Sequence, residues 1–249
     1  MSDIEDIGTG LAEAHGALAV AGLGDMVWGH VSSRDPDGRG VWMKAAGWGF
    51  EEVTPERVVL VSPGGEVLAG TGRRHIEYPI HTRTMAARLD IGAVVHSHGE
   101  AAATFASLDV PLRALNHAAA PFLEQTDIPR YTDSGDLIRT DDLGDGLARA
   151  LGDAAGVLIP GHGFVVAGPT IAIAVMRAAL LETACRVQLS ALAAGGPRRW
   201  SDEAELESKR HTVWNPEQYQ AGYDYLVRQA RSGASARTAS FPVQPQETR

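Results

Sequence analysis

Cysteine is almost absent: the 249-residue sequence has one, Cys185. A single thiol cannot close an intrachain disulfide, and a zinc cluster built on cysteines is excluded. Positive charge is also scarce. Lys and Arg number 22 against 31 Asp and Glu, a formal net charge of −9 with a pI near 5.4. That balance argues against an electrostatic grip on nucleic acid or anionic lipid, so neither partner is expected. No uninterrupted apolar run suits a membrane span. The most apolar stretch, Ile171 to Ala194, is interrupted by Arg177, Glu182, Arg186 and Gln188 and reads as a buried helix. The first residues, MSDIEDIG, are acidic and lack the cationic-then-apolar order of an export signal, so a cytoplasmic location is expected.

What is present suits one α/β domain with a sizeable core. An Ala-rich helix is expected from Asp3 to Gly24, and a strand from Val27 to Arg34. A turn at Asp35–Gly40 leads to a short strand, Val41 to Lys44. Thr54-Pro55-Glu56 has the hydroxyl, proline and acid of a helix start, cut short by the β-branched run Val58 to Val61. Ser62-Pro-Gly-Gly65 then turns a hairpin into Glu66–Leu68. Helical spacing covers Ile76 to Leu89, a strand Ala93 to His98, and further helices Ala101 to Leu108 and Leu137 to Leu151. Strands at Gly156–Ile159 and Phe164–Val166 flank the tight turn Pro160–Gly163. The region to Arg231 is a partly helical extension of the single domain, 1–231, and the small, polar residues 232–249 read as a mobile tail.

Nine histidines stand out in this setting. His96 and His98 are two apart on a strand, which turns both rings to one face. They read either as a pair sharing a metal ion or as two partly exposed residues at a strand end. His162 stands between two glycines, where the chain can present one side chain at a tight turn. Glu77 and His81 share one face of the expected helix, as a metal-facing pair or a solvated one.

Four segments carry a resemblance to the class II aldolase/adducin family: Gly29-His-Val-Ser-Ser-Arg34, Glu77-Tyr-Pro-Ile-His81, Arg88 to His98, and Ile159-Pro-Gly-His-Gly163. The similarity runs from roughly Leu11 to Ala194. It implies a three-layer α/β/α domain around a mixed, largely antiparallel sheet, assembled as a homotetramer with sites between subunits. It also implies one divalent ion per subunit, usually zinc with manganese, iron or cobalt as alternatives, on His96, His98 and His162. Glu77 corresponds to the family's acid/base, and His81 to a common histidine behind the site. Such an ion stabilises the enediolate or carbanion left when a carbon–carbon bond breaks beside chelated oxygens.

The departures point away from sugar phosphates. The phosphate-binding Gly-Asn, Thr-Gly and Ser-Ser pairs of the family's aldolases are replaced here by Gly29-His30, Ala46-Gly47 and His75-Ile76. Alanine and isoleucine offer a dianion no side-chain donor. The basic residues His30, Arg73, Arg74 and His75 suit a carboxylate instead. The family's tyrosine proton donor is replaced by His117, and Tyr219, Tyr223 or Tyr225 corresponds to a tyrosine that reaches a neighbouring site. The expectation is a metal-dependent lyase, foremost a decarboxylase of a non-phosphorylated ortho-dihydroxy aromatic acid. Alternatives are an aldolase acting on a hydroxy-oxo acid or sugar derivative, and a non-catalytic adducin-like scaffold.

Overall fold

A computed structural model describes residues 3–124 and 127–233. The expected tail falls almost wholly outside the described residues. The first helix, α1 (Asp3–Val20), leads through a loop into β1 (His30–Arg34), which pairs with β2 (Val41–Lys44). A 3-10 turn at Pro55–Arg57 precedes β3 (Val58–Val61), and a hairpin returns as β4 (Val67–Ala69). Then come α2 (Tyr78–Ala87), β5 (Ala93–Ser97) and α3 (Glu100–Ala106). After a 3-10 segment at His117–Phe122 follow α4 (Asp141–Leu151), β6 (Gly156–Ile159), β7 (Gly163–Gly168), α5 (Ile171–Ala193), α6 (Glu203–Thr212) and α7 (Pro216–Arg231).

Elements fall where the spacing puts them, but several boundaries differ. The first strand begins at His30 rather than Val27, because Asp25 to Trp28 close a tight turn with a Trp28 N–H to Asp25 carbonyl bond of 2.9 Å. Helix α2 begins at Tyr78 rather than Ile76, with Pro79 in its first turn and Glu77 as its cap. The strand β5 ends at Ser97, so His98 lies just beyond it.

The seven strands form one sheet in the order β4-β3-β2-β1-β5-β7-β6. Every named pairing is antiparallel, and a lone bridge from Arg130 to Leu158 is parallel. Alternation sorts the strand residues between two cores. Val31, Leu60, Val95 and Val166 pack with Leu11, Phe105, Leu181 and Tyr223 from α1, α3, α5 and α7. Met43, Val59, Val94 and Val165 pack with Ile80, Met85, Leu147 and Leu151 from α2 and α4. This is a three-layer α/β/α arrangement. Among the described residues no helix is long and apolar enough to cross a membrane. Ten of the 23 residues of the long α5 are instead buried, Glu182 among them.

Register places the chemistry. His30 opposes His96 across the β1–β5 ladder, and both side chains share the face of Val94 and α2. On the other face His15 of α1 ties that helix to β1. Its Nδ1–H donates to the Leu11 carbonyl at 2.6 Å, and its Nε2 accepts the Val31 N–H at 3.1 Å. Burial pulls His15 from 6.5 down to about 3. The unfolded chain therefore takes up this proton first. The stability contributed by neutral His15 is complete above about pH 6.5 and drains away as acid approaches about pH 3. Urea unfolding between pH 7 and pH 4 is expected to show a shallower loss of stability in His15→Gln than in the parent chain. Equal slopes would remove His15 as a source of that acid sensitivity.

Candidate metal centre

The site forms at one end of the strands, where β5 stops and β6 turns into β7. His96 comes from the end of β5, His98 follows two residues later, and His162 tips the hairpin between β6 and β7. Pro160 and Gly161 occupy the middle of that hairpin turn, with Gly161 at φ +74° and the His162 N–H bonded to the Ile159 carbonyl. At Gly163 a Cβ would stand 2.4 Å from the Ser97 carbonyl, so only glycine lets the hairpin close against β5.

Hydrogen bonds fix which nitrogen each ring presents. The His96 Nδ1–H donates to the Phe164 carbonyl at 2.9 Å. The His98 Nδ1–H donates to Asp25 Oδ2 at 2.8 Å. Both Nε2 atoms are then bare, and they face each other across 3.0 Å. His162 Nε2 is buried without a hydrogen-bond partner, 3.5 Å from Glu77 Oε1. Glu77 Oε2 lies 3.7 Å from His96 Nε2. The ligand atoms of these four residues all lie within 4.8 Å of one another.

Burial favours the neutral form of His96 and His162. Burial holds His96 well below its usual value and lowers His162 to about 4. Burial acts oppositely on Glu77, raising its pKa, while the Ile138 N–H bonded at 2.9 Å to Oε1 works against that. Lone pairs 3.0 Å apart repel unless something positive lies between them. Two ligands on one tetrahedral zinc-sized ion stand about 3.3 Å apart. The nitrogen-rich donor set therefore fits a divalent ion, with His96, His98 and His162 as holders and Glu77 beside them.

A second group adjoins the first. His30 and His75 converge on Glu77, again with ligand atoms within 4.8 Å. Both histidines are buried, and His30 Nε2 and His75 Nδ1 lack partners. His81, fully buried on α2, meets His30 Nδ1 with its Nε2 at 2.6 Å and Ser32 Oγ with its Nδ1 at 2.6 Å. This chain of contacts orients His30 from behind.

The remaining expected residues have other partners or face the surface. The Arg74 guanidinium is spent on the Gly65 carbonyl at 2.5 Å and stacks on Tyr78. Arg73 is exposed at the surface. His117 is exposed too, its carbonyl taken by the Trp214 indole. Tyr219 and Tyr223 are buried in the core, whereas Tyr225 is half exposed. Cys185 is buried, and desolvation pushes its thiol upward, away from thiolate chemistry. Sequence reasoning missed Asp25, 73 residues from the histidine it orients. The one local signal was its position just before the Gly29-His30 segment.

The sequence model described as Class II Aldolase and Adducin N-terminal domain matches residues 9–189. Decarboxylase NovR of Streptomyces niveus is 31% identical over 176 residues, 70% of this chain and 64% of that protein, so the match spans just under two thirds of NovR. The 3,4-dihydroxyphthalate decarboxylase of Arthrobacter keyseri is 31% identical over 225 residues, 83% of this chain and 90% of that protein. Among solved structures, the L-fuculose 1-phosphate aldolase from Glaciozyma antarctica PI12 superposes with a TM-score of 0.76 at 26% identity, covering 92% of this chain and 90% of that one. The chain belongs to the class II aldolase and adducin family.

Metal analysis after loading and gel filtration tests the centre. The parent chain is expected to retain about one divalent ion per subunit, and His96→Ala, still folded, close to none. Undiminished metal in His96→Ala would contradict this ligand set.

Proposed function

We propose that this family member is a divalent-metal-dependent carbon–carbon lyase, foremost a decarboxylase of a non-phosphorylated ortho-dihydroxy aromatic acid. The observation that carries the reading is the juxtaposition at Glu77: three imidazoles suited to an ion on one side, His30 and His75 with bare buried nitrogens on the other. Relatives named as decarboxylases, at about 30% identity, support the lyase class.

A divalent ion, most simply zinc, would supply concentrated positive charge that two adjacent substrate oxygens can share. The chain's own groups do the rest. His96, His98 and His162 would hold the ion without cancelling its charge, because an imidazole ligates as a neutral group. His30 and His75 meet the substrate's acid group, with the Ser32–His81 contacts holding the His30 ring in place. Arg73 and Arg74 adjoin His75 in the sequence, and the exposed Arg73 is free to meet an anion. When the carbon–carbon bond breaks, carbon dioxide leaves and its electron pair stays on the substrate carbon. That carbon then needs a proton. Glu77, its pKa raised by burial, is placed to carry one on its carboxyl oxygen.

The homotetramer and the cytoplasmic location expected from the sequence belong to the same proposal. His117 and Tyr225, exposed on their own subunit, are then the groups available to a neighbouring site. Aldol cleavage is the second reading, favoured by the superposition on the fuculose phosphate aldolase.

Mass spectrometry of products separates these readings. Metal-loaded protein offered dihydroxybenzoates, dihydroxyphthalates and aldol-type hydroxy acids is expected to release carbon dioxide from an aromatic acid, and Glu77→Gln to lower that rate at least about a hundredfold. Aldehyde from a hydroxy acid instead would establish aldol cleavage. No turnover across the panel, with metal bound, would contradict the decarboxylase.

A further inference from the structure

Lys44 is the anomaly of the core. It ends β2 on the same face as Trp42, a position that alternation reserves for an apolar side chain, and it is fully buried. No carboxylate lies within ion-pair distance of it among the described residues. Glu52 acts on it only from beyond that distance. Burying an ammonium without a contacting carboxylate is costly, and such a group persists where it holds something in place. Its Nζ donates to two loop carbonyls, Val27 at 2.7 Å and Trp48 at 2.8 Å.

The first of those loops carries Asp25. Within it Met26 takes φ +46°, the one non-glycine residue with positive φ among the described residues. A left-handed, unbranched residue outside glycine is strained and stays so only when its surroundings hold it. The Met26 carbonyl rests against Gly49 of the second loop, where a Cβ would come within 3.1 Å. Lys44 thus draws two loops together and keeps the strained turn in shape.

We propose that Lys44 is a positioning residue for the metal centre: by clamping the Asp25–Trp28 turn it sets Asp25, and Asp25 holds His98 with its Nε2 toward the ion. This rests on the reading of His96, His98 and His162 as ligands. The chain of action is Lys44 Nζ to Val27 carbonyl, turn to Asp25 carboxylate, carboxylate to His98 Nδ1–H. Carboxylates that orient a ligand histidine are worth about tenfold to a hundredfold in metal affinity.

A double-mutant cycle on zinc affinity, measured by chelator competition, tests this. Lys44→Met and Asp25→Ala are each expected to weaken binding about tenfold, and the double variant to match Asp25→Ala alone. Nitrogen NMR of metal-free protein supplies a readout that lost packing would not move. His98 should be Nδ1-protonated in the parent and a tautomer mixture in Lys44→Met. Should Lys44→Met fail to fold, Lys44→Leu, which also lacks a donor, replaces it in the cycle. Unchanged affinity, or a loss that adds fully to that of Asp25→Ala, would overturn the role of Lys44 while leaving the centre intact. A parent chain that binds no zinc would overturn both.

Discussion

Two imidazole lone pairs, on His96 and His98, point at each other across 3.0 Å inside the protein. Each ring has given its other N–H to a fixed acceptor, the Phe164 carbonyl or the Asp25 carboxylate, so neither can turn its lone pair away without breaking a bond. A cation between them removes that conflict, and the neighbouring donors could share in holding one. His162 is brought in by a hairpin that needs glycine at Gly163, and Glu77 by the helix it caps. The fold's contribution to chemistry is this pre-set repulsion.

How much of this was legible in the sequence follows from the range of each interaction. His96, His98, His162 and Glu77 lie in short motifs whose local geometry, strand end, hairpin tip and helix start, carries most of their placement. The layered fold was legible too, because alternation in β5 and β7 sorts residues between two cores. The supports were not. Asp25, Lys44 and His15 act across tertiary distance with no periodic signature, and a buried lysine runs against the pattern that identifies a strand's apolar face. The arginines next to His75 carried no directional information, since a long side chain turns toward whichever acceptor the fold offers. Arg74 finds the Gly65 carbonyl.

The boundary shifts have a shared cause. The expected first strand loses Val27 to Gly29 to a turn, and that turn brings Asp25 beneath His98. The expected helix at Ile76 loses its first two residues because Glu77 stays outside α2, where its carboxylate meets the Ile138 amide rather than a helical neighbour. In both cases the chain leaves regular structure at the point where a side chain is needed by the site. Departures of this kind are expected at functional positions, where local preference yields to the geometry of the site.

Electrostatics gives the centre its division of labour. The same burial that keeps His96 and His162 neutral, and so able to ligate, makes Glu77 harder to ionise and so able to hold a proton. X-ray absorption at the edge of bound zinc or cobalt tests the central claim most directly. The account predicts a first shell of nitrogen and oxygen at about 2.0–2.1 Å with the outer-shell scattering of three imidazoles. A shell of water and carboxylate oxygens with no imidazole scattering would contradict it.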